Sequence, residues 1–152
     1  MSKIIAAWAL GLGTITVSAT SPAQAQASAS HNYQAPDFAA RDKAYSYLRT
    51  KILEGMRQGA NFNGHYTIIR IGCGSGCSNN LLVNRRTGQI HPIPFGGEDQ
   101  QMLTIRHNVR SDMLTAIWTD YEECYSQQAR WNGTGFEVRS SPRVVSEDLC
   151  RS

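Results

Sequence analysis

Four cysteines, Cys73, Cys77, Cys124 and Cys150, constrain this chain of 152 residues more than any other feature of its sequence. In an oxidising compartment an even set closes into disulfides, and four cysteines allow three connectivities. In a reducing one the same residues point to metal or redox chemistry. The N-terminal segment, residues 1–25, favours the oxidising case. Lys3 supplies a positive start, Ile4 to Val17 an apolar segment, and Ala23, Gln24, Ala25 the small-x-small pattern that a signal peptidase reads. Ala25, Gln26, Ala27 repeats that pattern and offers a second cleavage point. The apolar segment is shorter than the roughly 20 residues that span a bilayer, and glycines and threonines interrupt it. Nothing later in the sequence is long and apolar enough for a second membrane segment. The expectation is an exported chain, periplasmic or secreted, with residues 1–25 removed and disulfides permitted.

The formal charge of +3 comes from 15 Lys plus Arg against 12 Asp plus Glu. Its longest basic run is Arg85 with Arg86, so the patch or stripe of a nucleic-acid-binding protein is missing and no nucleic-acid partner is expected.

Residues 26–36 (QASASHNYQAP) are small and polar and read as a flexible lead-in. Residues 37–152 then form one α+β domain. Asp37 can cap a helix in which Phe38, Ala44, Tyr45, Leu48, Ile52 and Met56 recur at mostly three- and four-residue steps, ending near Gly55 or Gly59. Beyond Gly64 the period changes to short β-branched and aromatic runs. Strands are expected at His65 to Ile71, Leu81 to Asn84, Gln89 to Ile93, Met102 to Arg106, Met113 to Trp118, Tyr125 to Trp131 and Gly135 to Arg139. Gly88 and the Asn132, Gly133 pair mark hairpin turns. Pro92 and Pro94 each lack an N–H, which puts that run at a sheet edge or a bend. The fold expected is one amphipathic helix packed on an antiparallel meander of six or seven short strands, stapled by disulfides.

Asn61, Phe62, Asn63, Gly64, His65, Tyr66 leads through one strand into Gly72, Cys73, Gly74, Ser75, Gly76, Cys77. With the later Thr87, Gly88 turn, this NFxGHY strand and GCGxxC loop resemble a family of small exported bacterial proteins of unknown function. The likeness covers the stretch from Tyr47 to Phe95. It implies export and the same strand alignment, and it assigns no catalytic residue.

Cys73 and Cys77 are separated by three residues, two of them glycine, so the chain can double back to the Cα separation of roughly 6 Å that a disulfide needs. Cys124 and Cys150 flank the last hairpin, and joining them would staple the tail to the sheet. Chain entropy assigns about 2 kcal/mol to the five-residue ring and about 3.5 kcal/mol to the 27-residue one. The C-x-x-x-C spacing departs from the C-x-x-C of thiol-disulfide enzymes, and no βαβ pattern surrounds it. Zinc on Cys73, Cys77 and His65 lacks a fourth ligand. The glycines could form an anion nest, but no helix follows them.

No catalytic constellation, metal site or cofactor is read from the sequence. The binding residues expected are His65, Tyr66, Gly74 and Ser75, with His65 and Tyr66 on opposite strand faces. Trp118, Tyr121, Tyr125, Trp131 and Phe136 are divided between core and a recognition surface. The function expected is a small binding module for a protein or cell-envelope ligand, one form of which inhibits an envelope hydrolase. A mildly basic chain fits a basic hydrolase poorly. The alternative is an envelope enzyme or thiol-disulfide protein built around His65 and the Cys73/Cys77 loop.

Overall fold

A computed structural model of the chain describes residues 32–151. The expected signal, residues 1–25, lies outside the described residues, as does the expected lead-in up to residue 31. The rest of that lead-in is anchored rather than loose. Gln34 N–H donates to the Arg85 carbonyl at 2.8 Å, the Arg85 guanidinium lies 5.2 Å from the centroid of the Tyr33 ring, and Pro36 is buried.

Asp37 does open a turn, its Oδ1 accepting from the Ala39 and Ala40 amides at 3.2 and 3.0 Å. The continuous helix expected after it is divided into that turn, a 3-10 segment at Lys43–Leu48 and one α-helix, α1, at Arg49–Arg57. Asp42 supplies the physical reason. Its buried carboxylate accepts from Asp37 N–H at 3.0 Å, from Arg41 at 3.1 and 2.7 Å, and from Ile90 N–H at 3.3 Å. A side chain that gathers backbone donors in this way competes with helical hydrogen bonding. Downstream, α1 buries Ile52 and Met56 completely against Ile69, Ile71, Leu81 and Val83.

Eight antiparallel strands follow in two sheets, in place of a single meander of six or seven. The first sheet has the order β1-β2-β3, with β1 at Tyr66–Gly72, β2 at Ser78–Asn84 and β3 at Ile90–Gly97. The second has the order β4-β5-β6-β7, with β4 at Gln101–His107, β5 at Met113–Asp120, β6 at Glu123–Trp131 and β7 at Phe136–Val138. The eighth strand, β8 at Arg143–Val145, also pairs with β6. It continues the edge that β7 begins, after a break at Ser140 to Pro142 where the Gln127 side-chain amide donates to the Ser140 carbonyl at 2.7 Å. Pro92 and Pro94 lie on β3, an edge strand, where a missing donor is tolerated.

Alternation gives the first sheet two buried faces. Ile69, Ile71, Leu81 and Val83 meet the helix. Tyr66, Ile68, Leu82, Ile93 and Phe95 meet Leu103, Leu114, Ala116, Trp118 and Trp131 of the second sheet. The layers are therefore helix, three-stranded sheet and five-stranded sheet. Among the described residues no helix is long and apolar enough to cross a membrane.

Candidate functional site

β1 ends at Gly72 and β2 starts at Ser78, so Cys73 to Cys77 forms the turn between them. Cys73 N–H donates to the Cys77 carbonyl at 3.2 Å, and the two cysteines are bonded across a Cα separation of 5.2 Å. Gly74 and Gly76 have φ of +140° and +71°, conformations that L side chains rarely adopt. Gly74 and Ser75 are exposed at the tip. The second disulfide joins Cys124 to Cys150 at 6.0 Å, so no thiol remains free.

Two other connections gather around this turn. Met102 N–H donates to the Gly76 carbonyl at 2.8 Å, which brings the β3–β4 connection to the cysteine loop. Thr119 Oγ1 donates to the Gln101 carbonyl at 3.2 Å, which brings the β5–β6 turn alongside. Two large side chains sit there on left-handed backbone, Met102 at φ 54° and Tyr121 at φ 53°. Both are exposed, Tyr121 fully. Non-glycine residues in this conformation are strained, and such strain concentrates at functional positions. Beyond Cys73, on the helix side of the first sheet, Tyr45 and Tyr47 wall a cleft of about 360 Å³ floored by Ile71 and Leu81.

Charge is distributed unevenly between the ends of the strands. The three connections at the cysteine-loop end and the strand ends beside them carry Glu98, Asp99, Asp120, Glu122 and Glu123, all exposed, and neither Lys nor Arg. Arg151 of the tail, which shares a cleft with Tyr121, is engaged by Glu147 at 2.8 Å. At the opposite end, where Gly64 N–H donates to the Val109 carbonyl at 2.6 Å, the turns carry Arg85, Arg86 and Arg110. Asp112 in that end is engaged by Arg130 at 2.8 Å.

The expected binding residues do not converge. Gly74 and Ser75 stand at the acidic end. His65 precedes β1 at the basic end, roughly 25 Å from Cys73 at about 3.3 Å per residue. Burial and, secondarily, the Arg86 cation push its pKa down. Its ring lies 4.3 Å from that of Tyr66, which corrects the expectation of opposite faces. The alternation begins only with the strand, and His65 belongs to the turn before it, where its N–H donates to the Asn63 carbonyl. Tyr66 itself is buried in the core between the sheets and is unavailable to a ligand. Ser75 has no histidine in the surrounding connections, whose side chains there include glutamines and acids.

Among the C-terminal aromatics, Trp118 and Trp131 are buried, Tyr125 and Phe136 are half-buried, and Tyr121 is the exposed one. Sequence alternation could not place Met102, because a register shift between Gln101 and Thr104 interrupts the strand there.

No protein-family model matches the chain, and no significant match is found among curated proteins or solved structures.

Proposed function

We propose that the chain is an exported recognition module with no catalytic chemistry of its own. It docks a basic protein partner through the end that carries the Cys73–Cys77 loop, a lysozyme-type envelope hydrolase being the concrete case. The observation that carries the proposal is Tyr121, a fully exposed aromatic on left-handed backbone in the middle of the acidic connections. Tyrosine is enriched among interface anchors because it offers a large rigid surface at small entropic cost. Carboxylates around such an anchor steer a cationic partner and fix its orientation.

The objection from net charge loses its force because the surface charge is segregated. A chain of formal charge +3 presents five acids at one end and carries Arg85, Arg86 and Arg110 in the opposite turns. Export is supported by the signal-like residues 1–25, by two disulfides, and by the resemblance of the NFxGHY and GCGxxC segments to a family of small exported proteins. An enzyme centred on His65 and the cysteine loop has less support, since the two stand at opposite ends of β1 and both cysteines are bonded.

The test is surface binding of the mature chain to a basic lysozyme at low and physiological salt. Binding that weakens with salt, and that falls at least about tenfold in Tyr121→Ala and in the double variant Glu122→Lys, Glu123→Lys, is expected. Absence of binding, or binding indifferent to both variants, rejects the proposal.

A further inference from the structure

β1 and β4 are edge strands of their respective sheets, and the inner faces of the two sheets meet in the shared core. Between these two edges lies a crevice of about 180 Å³. Ile68 and Arg70 of β1, Asn80 of β2, and Leu103, Ile105 and His107 of β4 line it. The spacing of two along each strand puts these side chains on the facing surfaces, and Arg70 and Asn80 are direct cross-strand partners.

Among the lining side chains Arg70 and the Asn80 amide nitrogen offer donors, and the Thr104 hydroxyl can donate or accept. Asn80 is only 5% exposed, and its Nδ2 has no hydrogen-bond partner among the described residues. A buried donor left without an acceptor is costly, and in a native structure it calls for an occupant. Arg70, exposed at the mouth, carries five donors and no acceptor. His107 Nδ1 lies 3.0 Å from the Asn61 carbonyl, which can only accept, so Nδ1 carries the proton and donates in that contact. No Asp or Glu lines the crevice. Ile68, Leu103 and Ile105 supply hydrocarbon walls.

We propose that this crevice binds a small carboxylate with a branched or aromatic hydrocarbon body. The carboxylate accepts from the Arg70 guanidinium and the Asn80 amide, and the hydrocarbon lies between Ile68, Leu103 and Ile105. The volume suits such a molecule, since an apolar protein cavity of about 150 Å³ holds benzene. No residue lining the crevice belongs to the acidic connections, so failure here leaves the docking proposal untouched.

The experiment titrates the mature chain with isovalerate and benzoate, and in parallel with the neutral isovaleramide and benzamide, following amide chemical shifts. Saturable binding of the two carboxylates with shifts at Ile68, Asn80 and Leu103 is expected, and none of the two amides. Arg70→Gln and Asn80→Leu should each weaken carboxylate binding roughly tenfold or more, as loss of a hydrogen bond to a charged group does. Asn80→Leu should keep the fold, because it removes an unsatisfied amide. Should that variant fail to fold, the exposed Arg70→Gln decides alone. Equal binding of acids and amides, full affinity in Arg70→Gln, or no saturation by about 10 mM overturns the proposal and leaves water as the occupant.

Discussion

The Met102 amide donates to the Gly76 carbonyl at 2.8 Å, a bond that joins the cysteine loop of one sheet to the first strand of the other. Gly76 has φ +71°, a conformation that L side chains rarely adopt, so the backbone angle at this contact favours glycine. The small ring therefore does more than close a turn. It presents a rigid edge beside the exposed side chains of Met102 and Tyr121.

The two disulfides should differ in their contribution to stability. Replacing Cys124 and Cys150 by serine opens a 27-residue ring and should cost about 3.5 kcal/mol, whereas the same change at Cys73 and Cys77 opens a five-residue ring and should cost about 2 kcal/mol. Urea denaturation of the two double variants measures both values, and the reverse order would contradict this ranking.

Tyr121 should trade stability for binding. Its φ of 53° is unfavourable for an L side chain by roughly 1 to 2 kcal/mol, and glycine adopts it freely. Tyr121→Gly should therefore raise the free energy of unfolding, by about 1 kcal/mol after the added freedom of the unfolded chain is counted, while abolishing capture of a basic partner. A destabilised variant that still binds would show that Tyr121 is there for the turn alone.

Gly55 illustrates how far the sequence could be read. As a residue type it signals the end of a helix, and the expected helix stops there or at Gly59. In the structure Gly55 lies within α1, and a Cβ added to it would stand 2.8 to 2.9 Å from the side-chain carbons of Ile69. The local code cannot carry that information, because the contact is made with β1, a separate element beyond the loop from Gly59 to Gly64. The same applies to the division of the sheet. The hairpin turns at Gly88 and at Asn132, Gly133 were legible, since Asn132 Oδ1 accepts from the Thr134 and Gly135 amides at 3.0 and 2.9 Å, a purely local arrangement. That β4 does not pair with β3, and that β8 resumes the edge after Pro142, are decided by tertiary packing. At the candidate site the loop was legible from its glycines and cysteines. The acids at Asp120, Glu122 and Glu123 form a cluster in the sequence itself, but their meeting with Glu98 and Asp99 around the loop was not legible, because the two stretches lie far apart in the chain.

Gly55→Ala tests that contact. Alanine gains close to 1 kcal/mol of helix propensity, yet overpacking against Ile69 costs typically about 1 to 3 kcal/mol, so a net loss of about 1 kcal/mol is expected by thermal or urea unfolding. A stabilised variant would mean that the helix and β1 separate easily at this point.

His91 should give stability a pH dependence. Its ring lies 4.8 Å from that of Trp131, and burial pushes its pKa below the ordinary 6.5, with Arg41 adding to the shift and Asp42 opposing it. The unfolded chain takes up the proton first as pH falls. Stability is thus full above about pH 6.5, declines as pH drops from there through the folded-state pKa, and levels off below it. His65 contributes in the same sense. In His91→Gln the decline as pH falls below 6.5 should be shallower; an unchanged slope would remove His91 from the cause.

Docking through the cysteine-loop end is tested most directly by the footprint of a basic lysozyme on the mature chain, mapped by amide chemical shifts in a titration at low salt. Changes are expected at Gly74 to Gly76, Glu98 to Met102 and Asp120 to Glu123, with the turns bearing Arg85, Arg86 and Arg110 unaffected. Changes confined to those arginine turns, or none anywhere, would contradict it.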